Sequence, residues 1–140
     1  MDARSRGAVH LVRLDRGEEV VGTLASYCGV HRIESGTIVG IGAVEGVEVG
    51  AYASAGRRYE KVALEGEWEL VSFVGTVALL DGKPFVHPHV VVSNARAEVR
   101  GGHLFAARIS VTGEFAIHEA GIGLSRELVE EVGLKLWRFR

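Results

Sequence analysis

Gly46-Val47-Glu48-Val49-Gly50-Ala51-Tyr52-Ala53-Ser54 places Val47, Val49, Ala51 and Ala53 at alternate positions. A period of two lines one face of an extended strand, whereas a helix would need apolar residues three and four apart. This stretch therefore reads as a strand, and the same period extends over most of the chain. Upstream lies Thr37–Val44; downstream lie Arg58–Leu64, Trp68–Leu80, Phe85–Ser93, Leu104–Val111 and Glu114–Glu119. Turn signals at Ala55-Gly56, Glu65-Gly66, Asp81-Gly82 and Thr112-Gly113 separate them.

Before His31, which is expected in a loop or on the surface, the pattern differs. Val9–Leu14 reads as a first strand, and Asp15-Arg16-Gly17-Glu18-Glu19 as a helix start with Asp15 capping and acids in the first turn. Val20, Val21, Leu24, Ala25 and Cys28 fall at helical spacing and predict the buried face of a helix that ends near Tyr27 or Cys28, with Gly29 as its stop. Arg126–Val132 suits a short second helix, and Leu134–Phe139 a last strand or extended tail. The expected class is α+β: a mainly antiparallel β-sheet with one packed α-helix near the N-terminus and a short C-terminal helix. A doubly wound α/β fold would need more helices. A length of 140 residues suits one domain spanning 1–140 with a core of its own.

Sixteen Lys plus Arg against eighteen Asp plus Glu give a net charge of -2, without the basic excess that supports nonspecific phosphate binding. Nucleic acid is thus disfavoured as a partner, although a local basic patch is compatible with this balance. One cysteine, Cys28, cannot form an internal disulfide and reads as a buried structural thiol. The opening Met1-Asp2-Ala3-Arg4-Ser5-Arg6 lacks the apolar segment of a signal peptide, and runs such as Val77–Leu80 are too short to span a bilayer. A cytoplasmic protein without membrane association is expected. An apolar fraction of 47% is rich for this size and suggests surface buried between subunits.

The chemistry concentrates in Phe85-Val86-His87-Pro88-His89-Val90 and Gly101-Gly102-His103-Leu104. His87 and His89, two apart on a strand, share a face. A turn centred on Ala95-Arg96 puts His103 opposite Pro88; one centred on Arg96 alone puts it opposite His89. Either register brings three imidazoles together, and Gly101-Gly102 gives the backbone room to re-aim the ring. Three neutral imidazoles suit zinc and other late first-row metals and leave a fourth position for water or substrate. Pro88 cannot donate to a ladder on one side, which predicts an edge or bulge there.

Other candidates are weaker. Gly40-Ile41-Gly42-Ala43-Val44-Glu45-Gly46 has the wrong glycine spacing for a dinucleotide fingerprint and leads into strand residues rather than a helix, so it marks bulges and tight sheet packing. His10, His31 and His118 stand alone and read as surface or hydrogen-bonded core residues. Glu69 is a weak candidate general base against a simpler reading as a solvated strand residue. Arg96, Arg100 and Arg108 lie near the histidines in sequence and are candidate anion holders. No phosphate loop, His-Glu-x-x-His helix or Gly-x-Ser-x-Gly elbow is present.

Gly66-Glu67-Trp68-Glu69-Leu70-Val71-Ser72-Phe73-Val74-Gly75, His87-Pro88-His89, Gly101-Gly102-His103-Leu104 and Gly133-Leu134-Lys135-Leu136-Trp137 follow one another as in the PPC domain, the plant and prokaryote conserved domain. The chain resembles its stand-alone prokaryotic members over essentially its whole length. That resemblance implies a homotrimer and a zinc ion held by His87, His89 and His103. Plant members carry an AT-hook that grips A/T-rich DNA, and no Arg-Gly-Arg-Pro hook occurs in these residues. The leading expectation is a trimeric zinc-binding protein whose three-histidine site takes a small polar or anionic ligand. The alternative is a DNA-associated regulatory or protein-interaction module in which any metal is structural.

Overall fold

A computed structural model covers residues 1–140. Strands β1 (Asp2–Arg6) and β2 (Val9–Asp15) precede helix α1 (Val20–His31). Strands β3 (Gly36–Ala53), β4 (Arg58–Leu80), β5 (Lys83–Ser93), β6 (Val99–Glu119), β7 (Leu124–Val129) and β8 (Leu134–Phe139) follow. They form one sheet in the order β1-β2-β6-β3-β4-β7-β8, with β5 pairing both β4 and β6. Every pairing is antiparallel except a single parallel step, Leu79 to Ser125, between β4 and β7. The α+β expectation holds: a mainly antiparallel sheet with one helix near the N-terminus. No helix is long and apolar enough to cross a membrane.

Residues 46–53 are strand, as the period demands, but continuous with 37–44, and Ser54 opens a short 3-10 turn, Ser54–Gly56. Register shifts at Gly40/Gly42 and Glu45/Val47 absorb extra residues without ending the ladder. The expected breaks at Glu65-Gly66 and Thr112-Gly113 likewise lie inside the long strands β4 and β6. Strand β1, unforeseen in the sequence, pairs with β2 along its whole length.

The helix begins later than expected. Asp15 closes β2, and Glu19 is the cap: its carboxylate accepts from Val21 N–H at 3.2 Å and Gly22 N–H at 2.6 Å. Gly22 makes that reach feasible, because a Cβ there would lie 2.8 Å from the Glu19 oxygen. The helix also passes Gly29 and ends at Arg32, whose φ of 57° gives the left-handed turn that Gly29 was expected to supply. His31, expected in a loop, is its exposed last residue.

Residues 126–132 do not form a helix. Leu124–Val129 pairs with Leu134–Phe139 as a hairpin. Its turn is pinned by Tyr52 Oη donating to the Val132 carbonyl at 2.7 Å and Arg57 Nη2 donating to the Glu131 carbonyl at 3.1 Å. These tertiary bonds override a helical propensity worth only tenths of a kcal/mol per residue.

Val20, Leu24, Tyr27 and Cys28 of α1 are buried, in a core shared with Leu14, Ile38, Phe73, Ile109 and Ile117 from the sheet. Full burial of each large apolar side chain contributes roughly 1.5–3 kcal/mol. The helix packs on β5 and β6, the two strands that carry the histidine motifs.

Candidate metal centre

The β5–β6 turn determines where the third histidine falls. Asn94 Oδ1 accepts from Arg96 N–H at 3.0 Å and Glu98 N–H at 3.1 Å, and Ala97 takes a positive φ of 57°. Ser93 then pairs with Val99, and four steps on, His89 pairs with His103. This is the register centred on Arg96. His103 is also paired with Gly50 of β3, so it marks the point where β6 passes from β5 to β3. Gly101 and Gly102 make this passage: added Cβ atoms would lie 2.5 Å from the Val90 carbonyl oxygen and 2.7 Å from that of Gly50, and Gly102 has a φ of +153°. Pro88 faces Gly75 of β4 on one side, while pairing with β6 starts only at His89. At Pro88 the strand thus has an open edge on the β6 side, as expected.

The three rings converge. Centroids lie 5.3 Å apart for His87 and His89, 4.9 Å for His87 and His103, and 5.4 Å for His89 and His103. One ring nitrogen from each lies within 4.8 Å of the others. Tetrahedral zinc–nitrogen bonds need about 3.3 Å between donors, so the rings would have to draw closer to hold one ion together. His87 and His103 are half-buried and His89 exposed. His103 Nδ1 is buried without a hydrogen-bond partner, an orphaned acceptor or donor of the sort a metal or ligand satisfies. Burial lowers the pKa of His87 to about 4, helped by the Arg126 charge. Burial, then His89 and Arg126, lower that of His103 to about 4. Both rings are thus neutral at pH 7, the protonation state a metal requires. The donor set fits zinc.

The cation at this centre is Arg126, which sequence reasoning placed in a helix. Its Nη2 donates to His87 Nδ1 at 2.9 Å and lies 3.5 Å from Thr76 Oγ1, while Nη1 donates to the Lys135 carbonyl at 3.0 Å. Thr76 and His87 are cross-strand partners, and the parallel step of β7 beside β4 brings Arg126 over them. A sequence signal for this was Gly133, whose positive φ of 70° closes the turn between Leu124–Val129 and Leu134–Phe139.

The expected anion holders point elsewhere. Arg96 and Arg100 are exposed in or beside the β5–β6 turn, with Arg96 3.5 Å from Glu98, and Arg108 donates to the Gly17 carbonyl at 2.9 Å. Glu69 is exposed and lines a shallow depression with Glu114, Ile41 and Val111, away from the histidines. Of the lone histidines, His10 is buried with Nδ1 3.1 Å from Tyr27 Oη, and His118 is exposed. Cys28 is a buried thiol that burial raises to about 11. Gly40 and Gly42 mark tight packing: Cβ atoms there would meet the Phe115 ring at 2.2 Å and the Thr112 carbonyl oxygen at 2.4 Å.

A cavity of about 420 Å³ opens beside His87 and His103. Its walls include Tyr59, Phe85 and Phe105, with Arg126 and Lys135 as charged groups and no carboxylate. On the exposed sheet face, Leu11, Ala116, Val39, Val74 and His89 form one cross-strand row over five strands. Leu11, Val39 and Val74 are 61%, 46% and 56% exposed, so an apolar strip runs up to the site.

A family model of the Plants and Prokaryotes Conserved (PCC) domain matches residues 1–121. A plant- and prokaryote-conserved (PPC) protein from Pyrococcus horikoshii is 34% identical, with a TM-score of 0.88 over 97% of this chain and 94% of that one. A protein from Archaeoglobus fulgidus described as metal-containing is also 34% identical, with a TM-score of 0.87 over 94% of each chain. A Bacteroides thetaiotaomicron protein named as a candidate DNA-binding protein has a TM-score of 0.94 over 99% of this chain and 96% of its own, at 23% identity, a likeness of fold. No curated protein matches the sequence.

Proposed function

This chain belongs to the Plants and Prokaryotes Conserved domain family, and from that premise we propose that it is a cytoplasmic, homotrimeric zinc-binding protein in which His87, His89 and His103 hold one zinc per chain. Residues 1–140 act as one domain, and the zinc site takes a small polar or anionic ligand. The observation that carries this reading is the convergence of one imidazole nitrogen from each of the three histidines within 4.8 Å, on a set of rings in which His103 Nδ1 is buried without a partner. The metal-containing relative from Archaeoglobus fulgidus supports it. A zinc ion in this place supplies a Lewis acid with an open coordination position. The chain surrounds that position with cations and apolar groups and lines the cavity with no carboxylate to serve as base, which favours ligand binding over hydrolysis. The apolar strip ending at His89 favours assembly with the site at a subunit boundary; the threefold number comes from the family resemblance.

Elemental mass spectrometry of tag-free protein tests the metal. About one zinc per chain, lost in His89→Ala, is expected; no zinc even after its addition overturns the reading. A second reading, a DNA-associated module, is favoured by the names of two proteins of the same fold, from Bacteroides thetaiotaomicron and Ralstonia eutropha. It requires binding at about 50 mM salt that falls steeply as salt rises. A protein that shifts no duplex there, A/T-rich ones included, removes it.

A further inference from the structure

The Arg126–His87 hydrogen bond restricts what can share the site. Guanidinium only donates, so His87 Nδ1 accepts, and in a neutral ring Nε2 then carries the proton. That ring has a single free lone pair, and Arg126 occupies it. If a metal took Nδ1, Arg126 would be displaced. If a metal took Nε2, the proton would move to Nδ1 and face the guanidinium donor. Metal ligation by His87 and this hydrogen bond therefore exclude one another.

The released guanidinium has no anionic partner within the chain. Arg126 forms no salt bridge, its Nε is buried without an acceptor, and the cavity that it lines contains no carboxylate. Lys135 adds a second positive charge at the same wall, with its Nζ 3.5 Å from Asp81. The rest of the wall is apolar, chiefly Leu80, Phe85, Phe105, Leu134 and Leu136. A cavity of about 420 Å³ with an apolar body and one cationic end has the composition of a small-molecule site. A carboxylate or phosphate matches the guanidinium fork, and an aromatic or aliphatic group matches the walls.

We propose that Arg126 is the switch and anion anchor of this site: it caps His87 in the metal-free protein and, once zinc is bound, turns to hold the oxyanion head of a small ligand whose apolar body fills the cavity. This rests on the zinc reading above and names the ligand class. Linkage makes the coupling reciprocal, so the ligand tightens zinc and zinc tightens the ligand.

The test measures zinc affinity by chelator competition, with and without benzoate or phenyl phosphate, in wild type and Arg126→Met. The visible spectrum of the cobalt-substituted protein is a second readout. Without anion, Arg126→Met is expected to bind zinc about tenfold more tightly, because a charge-assisted hydrogen bond no longer competes. In wild type, benzoate or phenyl phosphate raises zinc affinity and shifts the cobalt bands, acetate and inorganic phosphate do so less, and the variant loses most of the effect. Comparison of the two arylated anions identifies the head group.

Equal zinc affinity in wild type and variant overturns the switch. Wild-type zinc affinity that neither arylated anion changes overturns the anchor, and this arm needs no variant to fold. A wild type that binds no zinc, indistinguishable from His89→Ala, fails the metal reading itself; a His89-dependent zinc site indifferent to Arg126 and to anions fails only this proposal.

Discussion

Two groups of imidazoles lie in this chain, and they are built in opposite ways. His10 packs edge-on to Tyr27 at 5.8 Å and to His31 at 5.7 Å, with Tyr27 and His31 tilted together at 4.1 Å. There one nitrogen of the buried ring, Nδ1, is met by the Tyr27 hydroxyl, the other, Nε2, is buried without a partner, and no trio of nitrogens converges to share a metal; helix α1 supplies Tyr27 and His31. His87, His89 and His103 instead sit where two strands meet on an outer face, with one nitrogen from each drawn toward a common point, Arg126 donating to His87, and the Tyr59 and Phe105 rings against His103. Spacing accounts for the contrast. Positions two apart on one strand, plus the directly opposed residue of the next, aim three side chains at one place. Residues drawn from a strand and a helix crossing it meet by packing alone. Histidine content thus says little about metal; shared strand register says much.

The largest expected effect tests this directly. His103→Ala removes one of three donors and should weaken zinc binding by more than the roughly 10–100-fold typical of losing a supporting partner. His10→Ala should leave zinc content at that of wild type. Its effect lies in stability: a buried ring and its hydrogen bond to Tyr27 are lost and a cavity is left, at a cost of about 2 kcal/mol. For a chain of this size that lowers Tm by roughly 4–8 °C. Paired zinc titrations and thermal melts of both variants check the contrast. Zinc loss in His10→Ala, or an unaffected zinc affinity in His103→Ala, breaks the distinction.

How far the sequence revealed this arrangement depended on how local each determinant was. The β5–β6 register was legible to within one step, because a five-residue turn opened by Asn94 determines it and the Asn side chain bonds its own loop. The helix start was not: Asp15 is a better intrinsic cap than Glu19, and the choice of Glu19 depends on Gly22 leaving room for a bent carboxylate. Glu65-Gly66 looked like a turn, yet it lies opposite Gly46 as a bulge inside β4, and the β3–β4 ladder resumes on either side, Glu45 with Glu67 and Val47 with Leu64. Arg126 was missed for the most distant reason. Arg-Glu-Leu-Val-Glu-Glu-Val has helical composition, and only pairing with β8 and anchoring by Tyr52 and Arg57 make it a strand.

The smallest effect separates the centre from the packed cluster by pH. In the metal-free folded protein His87 and His103 are lowered to about 4, from a value near 6.5 in the unfolded chain. Between these limits the unfolded state binds more protons than the folded one, so stability rises with pH across the window and is lost as pH falls from about 6.5 toward 4. Below about 4 both states are protonated at these rings and their contribution to the slope vanishes. Because the two rings are only half-buried, solvent screens much of the difference, and a modest slope is expected. Denaturant midpoints of zinc-free protein at intervals from pH 7 to 4 should decline for wild type and flatten in a His87→Gln, His103→Gln double variant. Zinc should steepen the wild-type decline, since protons and metal compete for the same lone pairs. An unchanged slope in the double variant would move the acid sensitivity away from the centre and remove the electrostatic half of the contrast.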